Sequence, residues 1–261
     1  MSPPSEPQRE QSSRALLSVP PGIDACLFDL DGVLTRTAVV HNAAWKEMFD
    51  AFLQHRADRT GEPFRPFEES DYISHVDGRM RADGVRFFLA SRGIELPEGE
   101  TGDPPAADTV HGLGSRKNEL VLERIRRDGV EVYDESVDFV RACRDAGLRR
   151  AVVSASRNCR EVLESVGIDD LFEVRIDGVV AAERNLPGKP APDTFLAAAA
   201  QLGVEPSAAA VFEDAVAGVE AGRSGGFGWV VGVDRTGQAE ALRTGGADIV
   251  VGDLGELVKH P

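Results

Sequence analysis

Ala25-Cys26-Leu27-Phe28-Asp29-Leu30-Asp31-Gly32 is the stretch on which the fold turns. Four apolar residues run without a break into an aspartate, and an Asp-Gly pair follows. A short, continuously apolar run that stops at turn residues reads as a buried strand. The strand delivers Asp29 at its carboxyl end and Asp31 two residues further on.

Further strands of this kind follow downstream. Arg150–Val153 reaches Ser154, Phe172–Ile176 is a second, and Ala209–Phe212 reaches Glu213 and Asp214. Trp229–Val233 and Ala247–Val251 complete the series. Between them lie helical stretches at 137–145, 158–166, 193–202 and 216–222, three of them stopped by Gly147, Gly167 and Gly203. Strands that alternate with helices of about ten residues imply right-handed βαβ units. The fold class is therefore α/β, a doubly wound parallel sheet.

An early segment breaks this alternation. Residues 41–54 carry Ala44, Trp45, Met48, Phe49 and Phe52 at helical spacing, and 85–91 and 118–128 also read as helices. Stretches 57–72 and 97–115, rich in Gly and Pro, read as loops. The expected organisation is a disordered tail over 1–20, a core from 21–39 and 129–261, and an inserted helical domain over 40–128.

The formal net charge is −15. Phosphate backbones and anionic lipid surfaces repel such a chain, so nucleic acid and membrane are not expected partners. No apolar run reaches the ~18 residues of a membrane span, and the polar start has no signal-peptide core. Cys26, Cys143 and Cys159 are odd in number and lack metal spacing. The expectation is a cytoplasmic monomer. Lysine is scarce, with only Lys46, Lys117, Lys189 and Lys259 against 25 arginines. A lysine in a special position therefore stands out.

In an open parallel sheet, ligands bind at the carboxyl ends of the strands. Asp29, Asp31, Ser154, Glu213 and Asp214 all sit there, and Lys189 lies in a Gly-Lys-Pro loop before a helix. Asp29 and Asp214 can converge on one hard cation, which would relieve their repulsion. Lys189 and the Ser154 hydroxyl offer a charge and a donor to phosphoryl oxygens. Amides from Ser154 towards the helix near Asn158 offer an anion site. Residues 29 and 31 of an extended chain point to the same side, so both can face one substrate. Each residue also has a plain structural role open to it. The aspartates and Glu213 can cap or turn, Trp45 can pack in a core, and Arg79 can be a surface cation.

Four segments carry a resemblance. Phe28-Asp29-Leu30-Asp31-Gly32-Val33-Leu34-Thr35, Ser154 within Val-Val-Ser-Ala-Ser, Lys189 within Gly-Lys-Pro-Ala-Pro-Asp, and Val211-Phe212-Glu213-Asp214-Ala215 occur in that order. Together they resemble the motifs of the haloacid dehalogenase (HAD) superfamily. The insert, with Thr37-Ala38-Val39-Val40-His41-Asn42-Ala43-Ala44-Trp45-Lys46, is similar to the beta-phosphoglucomutase-like branch. Arg36 departs from the acidic residue that many relatives have there. The resemblance implies a HAD-like Rossmannoid core with a helical cap. It implies Asp29 as nucleophile, forming an aspartyl phosphate, and Asp31 as general acid and base. Magnesium would be held by Asp29, the Asp31 carbonyl and Asp214, with Glu213 as ligand or support. Ser154, Ala155 and Lys189 would bind phosphate. Thr37, His41, Trp45, Arg79, Ser156 and Asn158 would bind a sugar phosphate or sugar bisphosphate. The implied reaction moves a phosphoryl group between C1 and C6 of a hexose. The alternatives are a sugar-phosphate phosphatase and an inactive sugar-phosphate-binding module.

Overall fold

The computed structural model describes residues 6–259. The chain forms two compact units, Met1–Arg36 with Glu131–Pro261, and Thr37–Val130.

The first unit holds a six-stranded sheet. Its strands are β1 (Ala25–Phe28), β2 (Arg149–Val153), β3 (Val174–Ile176), β4 (Ala209–Glu213), β5 (Trp229–Val233) and β6 (Ile249–Val251). Their spatial order is β3-β2-β1-β4-β5-β6, and every neighbouring pair is parallel. The doubly wound sheet expected from the apolar runs is therefore present. Its buried strands are apolar on both faces, as a parallel sheet covered by helices requires. On one face, Ala25 and Leu27 pack with Phe195, Ala198 and Leu202 of the helix Asp193–Leu202. On the other, Phe28 stacks on Phe212 at 4.7 Å and meets Phe139 edge-on at 6.1 Å.

Winding order reverses between β1 and β4. The chain steps outward from β1 to β2 and β3, then returns to pair β4 with the opposite edge of β1. Such a reversal leaves a crevice at the carboxyl ends of the two central strands. Register then decides what meets there. Phe28 pairs with Phe212, so the next residues, Asp29 and Glu213, emerge side by side.

The tail expectation needs correcting. Residues 6–15 form a helix, and Leu17 is buried in an antiparallel bridge to Val258. Ser18 N donates to the Leu257 carbonyl at 2.8 Å and Lys259 N to that of Leu16 at 2.7 Å. The polar composition concealed this docking because one apolar side chain, Leu17, carries it. Residues 1–5 lie outside the described residues.

The second unit is helical, with helices Thr37–Thr60, Arg81–Ser91 and Val110–Asp128, and a short helical passage over 69–76. Trp45, Phe49, Phe67, Phe88 and Leu113 form its core, with Phe49 4.1 Å from Phe88 centroid to centroid. Two sequence-based boundaries shift. The first helix runs on to Thr60 and stops at Gly61, whose φ is +74°. The last begins at Val110 rather than 118 because Thr109 caps it, Oγ1 accepting from Gly112 N at 2.9 Å. The cap outweighs the loop signal of the two nearby glycines.

Candidate active site

The site in the first unit is built on strand ends. Asp29 N still donates to the Phe212 carbonyl at 3.0 Å, so the nucleophile candidate is anchored to β4 by its own backbone. Lys189 Nζ donates to Asp29 Oδ1 at 2.6 Å and to the Val153 carbonyl at 3.2 Å. It also donates to Glu213 Oε1. Lys189, Asp29, Glu213 and Asp214 are all buried, with Glu213 0% exposed. Lys189 Nζ also lies 4.9 Å from the Phe195 ring centroid, a cation over an aromatic face.

Burial is the largest influence on both partners of the central pair. It holds the Asp29 carboxyl well above the usual carboxylate range, Glu213 and Asp31 push the same way, and Lys189 opposes them. For Lys189, burial alone would lower the ammonium. The adjoining charges of Asp29 and Glu213 outweigh it and hold Lys189 above its ordinary value. The lysine is a fixed positive charge.

Asp29, Glu213 and Asp214 each place a carboxylate oxygen within 4.8 Å of the others. Gly32 lets the first loop come close. Its φ is +93°, and a Cβ there would lie 1.7 Å from Asp214 Oδ2. An all-oxygen, buried donor set fits a hard divalent cation. Within the set, Glu213 is already committed. Oε1 takes Lys189 and Oε2 accepts from Ala215 N at 3.0 Å. Of the two roles expected for Glu213, support is the one its contacts describe. The Asp31 carboxylate faces elsewhere, with Ser154 Oγ 3.4 Å from Oδ2.

The turn after β2 uses some of its own amides internally. Ser156 N donates to Ser154 Oγ at 3.0 Å, and Asn158 N donates to Ser156 Oγ at 3.2 Å. The helix that follows starts only at Cys159 and has seven residues. The expected row of anion-binding amides is thus partly spent inside the turn. The Ala155 carbonyl packs on Gly178, where a Cβ would lie 2.7 Å from it.

Thr37, His41, Trp45 and Arg79 belong to the second unit. Thr37 is buried at the start of its helix. Trp45 is only 3% exposed and stacks on Phe49 at 5.2 Å in the core of this unit. Arg79 lies 4.5 Å over the Phe87 ring. His41 has a partner that sequence reading missed. Lys117 Nζ lies 3.0 Å from His41 Nδ1 and 4.8 Å from the Trp45 ring centroid, and Lys117 is only 5% exposed. Lys117 therefore lies against the imidazole and the indole together. The scarcity of lysine is the signal that could have found Lys117. No helix among the described residues is long and apolar enough to cross a membrane.

Known proteins bear on this arrangement. The haloacid dehalogenase-like hydrolase family model matches residues 23–226. The chain is 56% identical over 247 residues to the beta-phosphoglucomutases of Mycobacterium bovis and Mycobacterium tuberculosis, covering 93% of this chain and 94% of each relative. It is 31% identical to the fructose-1-phosphate phosphatase YqaB of Escherichia coli, covering 77% of this chain and 92% of that one. The crystal structure of beta-phosphoglucomutase from Clostridium difficile superposes with a TM-score of 0.71 at 26% identity, covering 90% of this chain and 93% of that one. With the parallel sheet, the strand-end carboxylates and the buried lysine, these matches mean that the chain belongs to the haloacid dehalogenase-like hydrolase family, in its beta-phosphoglucomutase-like branch.

Proposed function

We propose that the protein is a phosphomutase that converts beta-glucose 1-phosphate to glucose 6-phosphate through an aspartyl phosphate and a sugar bisphosphate. The observation that carries phosphoryl transfer is the buried Lys189 shared by Asp29 and Glu213 beside Asp214. The 56% identity to beta-phosphoglucomutases carries the choice of mutase.

In this reading Asp29 attacks phosphorus and holds the phosphoryl group as an acyl phosphate. Lys189 offsets charge on the transferring oxygens and keeps the Asp29 carboxylate aimed. Asp31 takes the proton from the attacking sugar hydroxyl and returns it to the leaving one, with the Ser154 hydroxyl beside it. Magnesium, held by Asp29, Asp214 and the Asp31 carbonyl, would neutralise charge on the transferring group. Ser154, Ala155 and Lys189 bind the phosphoryl oxygens. Ser156, Asn158, Thr37, His41 and Arg79 bind the sugar phosphate, with His41 oriented by Lys117 and Lys117 seated on Trp45.

The second reading is a sugar-phosphate phosphatase with the same nucleophile, favoured by the likeness to a fructose-1-phosphate phosphatase. Supplying beta-glucose 1-phosphate with magnesium and a trace of the 1,6-bisphosphate separates the two. Glucose 6-phosphate as the main product supports the mutase. Inorganic phosphate released at the rate of substrate loss would overturn it in favour of the hydrolase.

A further inference from the structure

Arg235 lies in the loop that leaves β5 and is used in an unusual way. Its side chain is 13% exposed and makes only one ion pair, to Asp253 at 2.9 Å. Its remaining donors go mostly to backbone. Nε donates to the Gly32 carbonyl at 2.9 Å, NH1 also reaches the Gly252 carbonyl at 2.8 Å, and NH2 reaches the Ser136 hydroxyl at 3.2 Å. The guanidinium plane lies 3.5 Å over the Tyr133 ring. The ion pair and the hydrogen bonds together offset the cost of taking the charge out of water, and most of the acceptors are backbone carbonyls. One of these carbonyls belongs to Gly32, the residue after Asp31.

Three residues further along, the same loop grips the other acidic strand end. Gln238 Nε2 donates to the Asp214 carbonyl at 2.9 Å. The loop itself is braced by Asp234, whose Oδ1 accepts from Gly237 N at 2.7 Å and Gln238 N at 2.8 Å. One rigid segment therefore holds both backbones whose close approach puts Gly32 against the Asp214 carboxylate.

We infer that the loop Asp234–Gln238 is a clasp that sets the spacing of the Asp29–Asp31 and Glu213–Asp214 strand ends, with Arg235 and Gln238 as positioning residues. Neither residue is assigned a contact with substrate. The inference rests on the reading of these carboxylates as a divalent-cation site and names what keeps that site in register.

The test uses the full chain and Mn²⁺ alone, with binding followed by the electron paramagnetic resonance of free Mn²⁺. Arg235→Met should weaken Mn²⁺ binding by about tenfold or more, the scale seen when groups that orient metal ligands are removed. The same variant should lower kcat while leaving KM for the sugar phosphate within about threefold, because ground-state sugar binding does not pass through the clasp. Arg235→Lys should recover part of the Mn²⁺ affinity, and Gln238→Leu should weaken it in the same direction. Circular dichroism checks that each variant is folded. Folded Arg235→Met with unchanged affinity and kcat would overturn the clasp. Where Arg235→Met does not fold, unchanged Mn²⁺ affinity in both Arg235→Lys and Gln238→Leu overturns it equally. Failure of the unaltered chain to bind Mn²⁺ would instead remove the cation-site reading, and the clasp with it.

Discussion

Gly218 and Glu213 occupy one shared space: a Cβ on Gly218 would lie 1.9 Å from Glu213 Oε1 and 2.0 Å from Cδ. The helix Val216–Ser224 can therefore approach β4 only where residue 218 has no side chain. The same Oε1 accepts from Lys189, so the glycine indirectly sets where the buried cation stands. Gly218→Ala should force Glu213 off Lys189. The expected result is an overpacking cost of about 1–3 kcal/mol, read as a thermal midpoint lowered by roughly 2–4 °C per kcal/mol. Turnover should fall in parallel. A variant with unchanged midpoint and unchanged turnover would show that Glu213 has another place to go.

Lys117 is buried in the second unit with His41 as its hydrogen-bond partner. Methionine has similar length and no charge to desolvate. Lys117→Met should leave the protein folded, as read by circular dichroism, because the length and apolar stem of the side chain are kept. Phosphoryl transfer to sugar should nevertheless drop roughly 10- to 150-fold, the scale of a charged hydrogen bond worth about 1.5–3 kcal/mol. A loss of stability with full activity would reverse this assignment.

Asp29 and Asp31 separate by chemistry. Asp29→Asn removes the nucleophile, so acetyl phosphate should leave no phosphoryl mass on the protein. Asp31→Asn removes the proton carrier and should slow turnover by ~10²–10⁴-fold, while the phosphoryl mass can still accumulate. Intact-mass spectrometry after acetyl phosphate treatment decides. A stable phosphoprotein from Asp29→Asn would falsify the nucleophile assignment.

Chelation tests the acidic cluster as a whole. EDTA should abolish activity and added magnesium should restore it. Full activity in chelated, metal-free buffer would sink the cation assignment.

The cysteines give a measure of core integrity. Cys26, Cys143 and Cys159 are buried, and burial raises the thiols of Cys143 and Cys159 well above their ordinary value. Cys143 Sγ lies 3.9 Å from Cys26 Sγ, as a thiol contact. A disulfide-based thiol reagent should therefore react with the native protein only slowly and titrate all three thiols in denaturant. Fast native reaction of any one would mean that the sheet opens locally.

Much of the core was legible because its signals are local. The run into Asp29 names both a strand and a site residue, and Lys189, Ser154, Glu213 and Asp214 each follow a comparably clear element. What escaped has a common cause. The Lys117 side chain meets His41 across 76 residues, and Arg235 meets Gly32 across 203. Arg235 and Gln238 act on backbone carbonyls, which carry no sequence signature at all. The helical spacing that marks Trp45 identifies a buried face without saying what the face meets. The helix 6–15 was missed because its composition is polar and its docking rests on Leu17 and on backbone pairing with residues 257–259.

The strand order also bears on how the protein emerges from a ribosome. β1 is the first strand made, yet its two sheet neighbours, β2 and β4, come late, and Lys189 follows Asp29 by 160 residues. The Thr37–Val130 unit is one uninterrupted stretch whose core residues are all synthesised before β2 appears. Domains fold as units during synthesis, so this stretch can gather its core while β1 still waits for partners. Until β4 arrives, Asp29 has neither its ammonium partner nor the strand that anchors its amide. The nascent chain thus keeps its acidic centre dispersed until Glu213 and Asp214 at the end of β4 have been made.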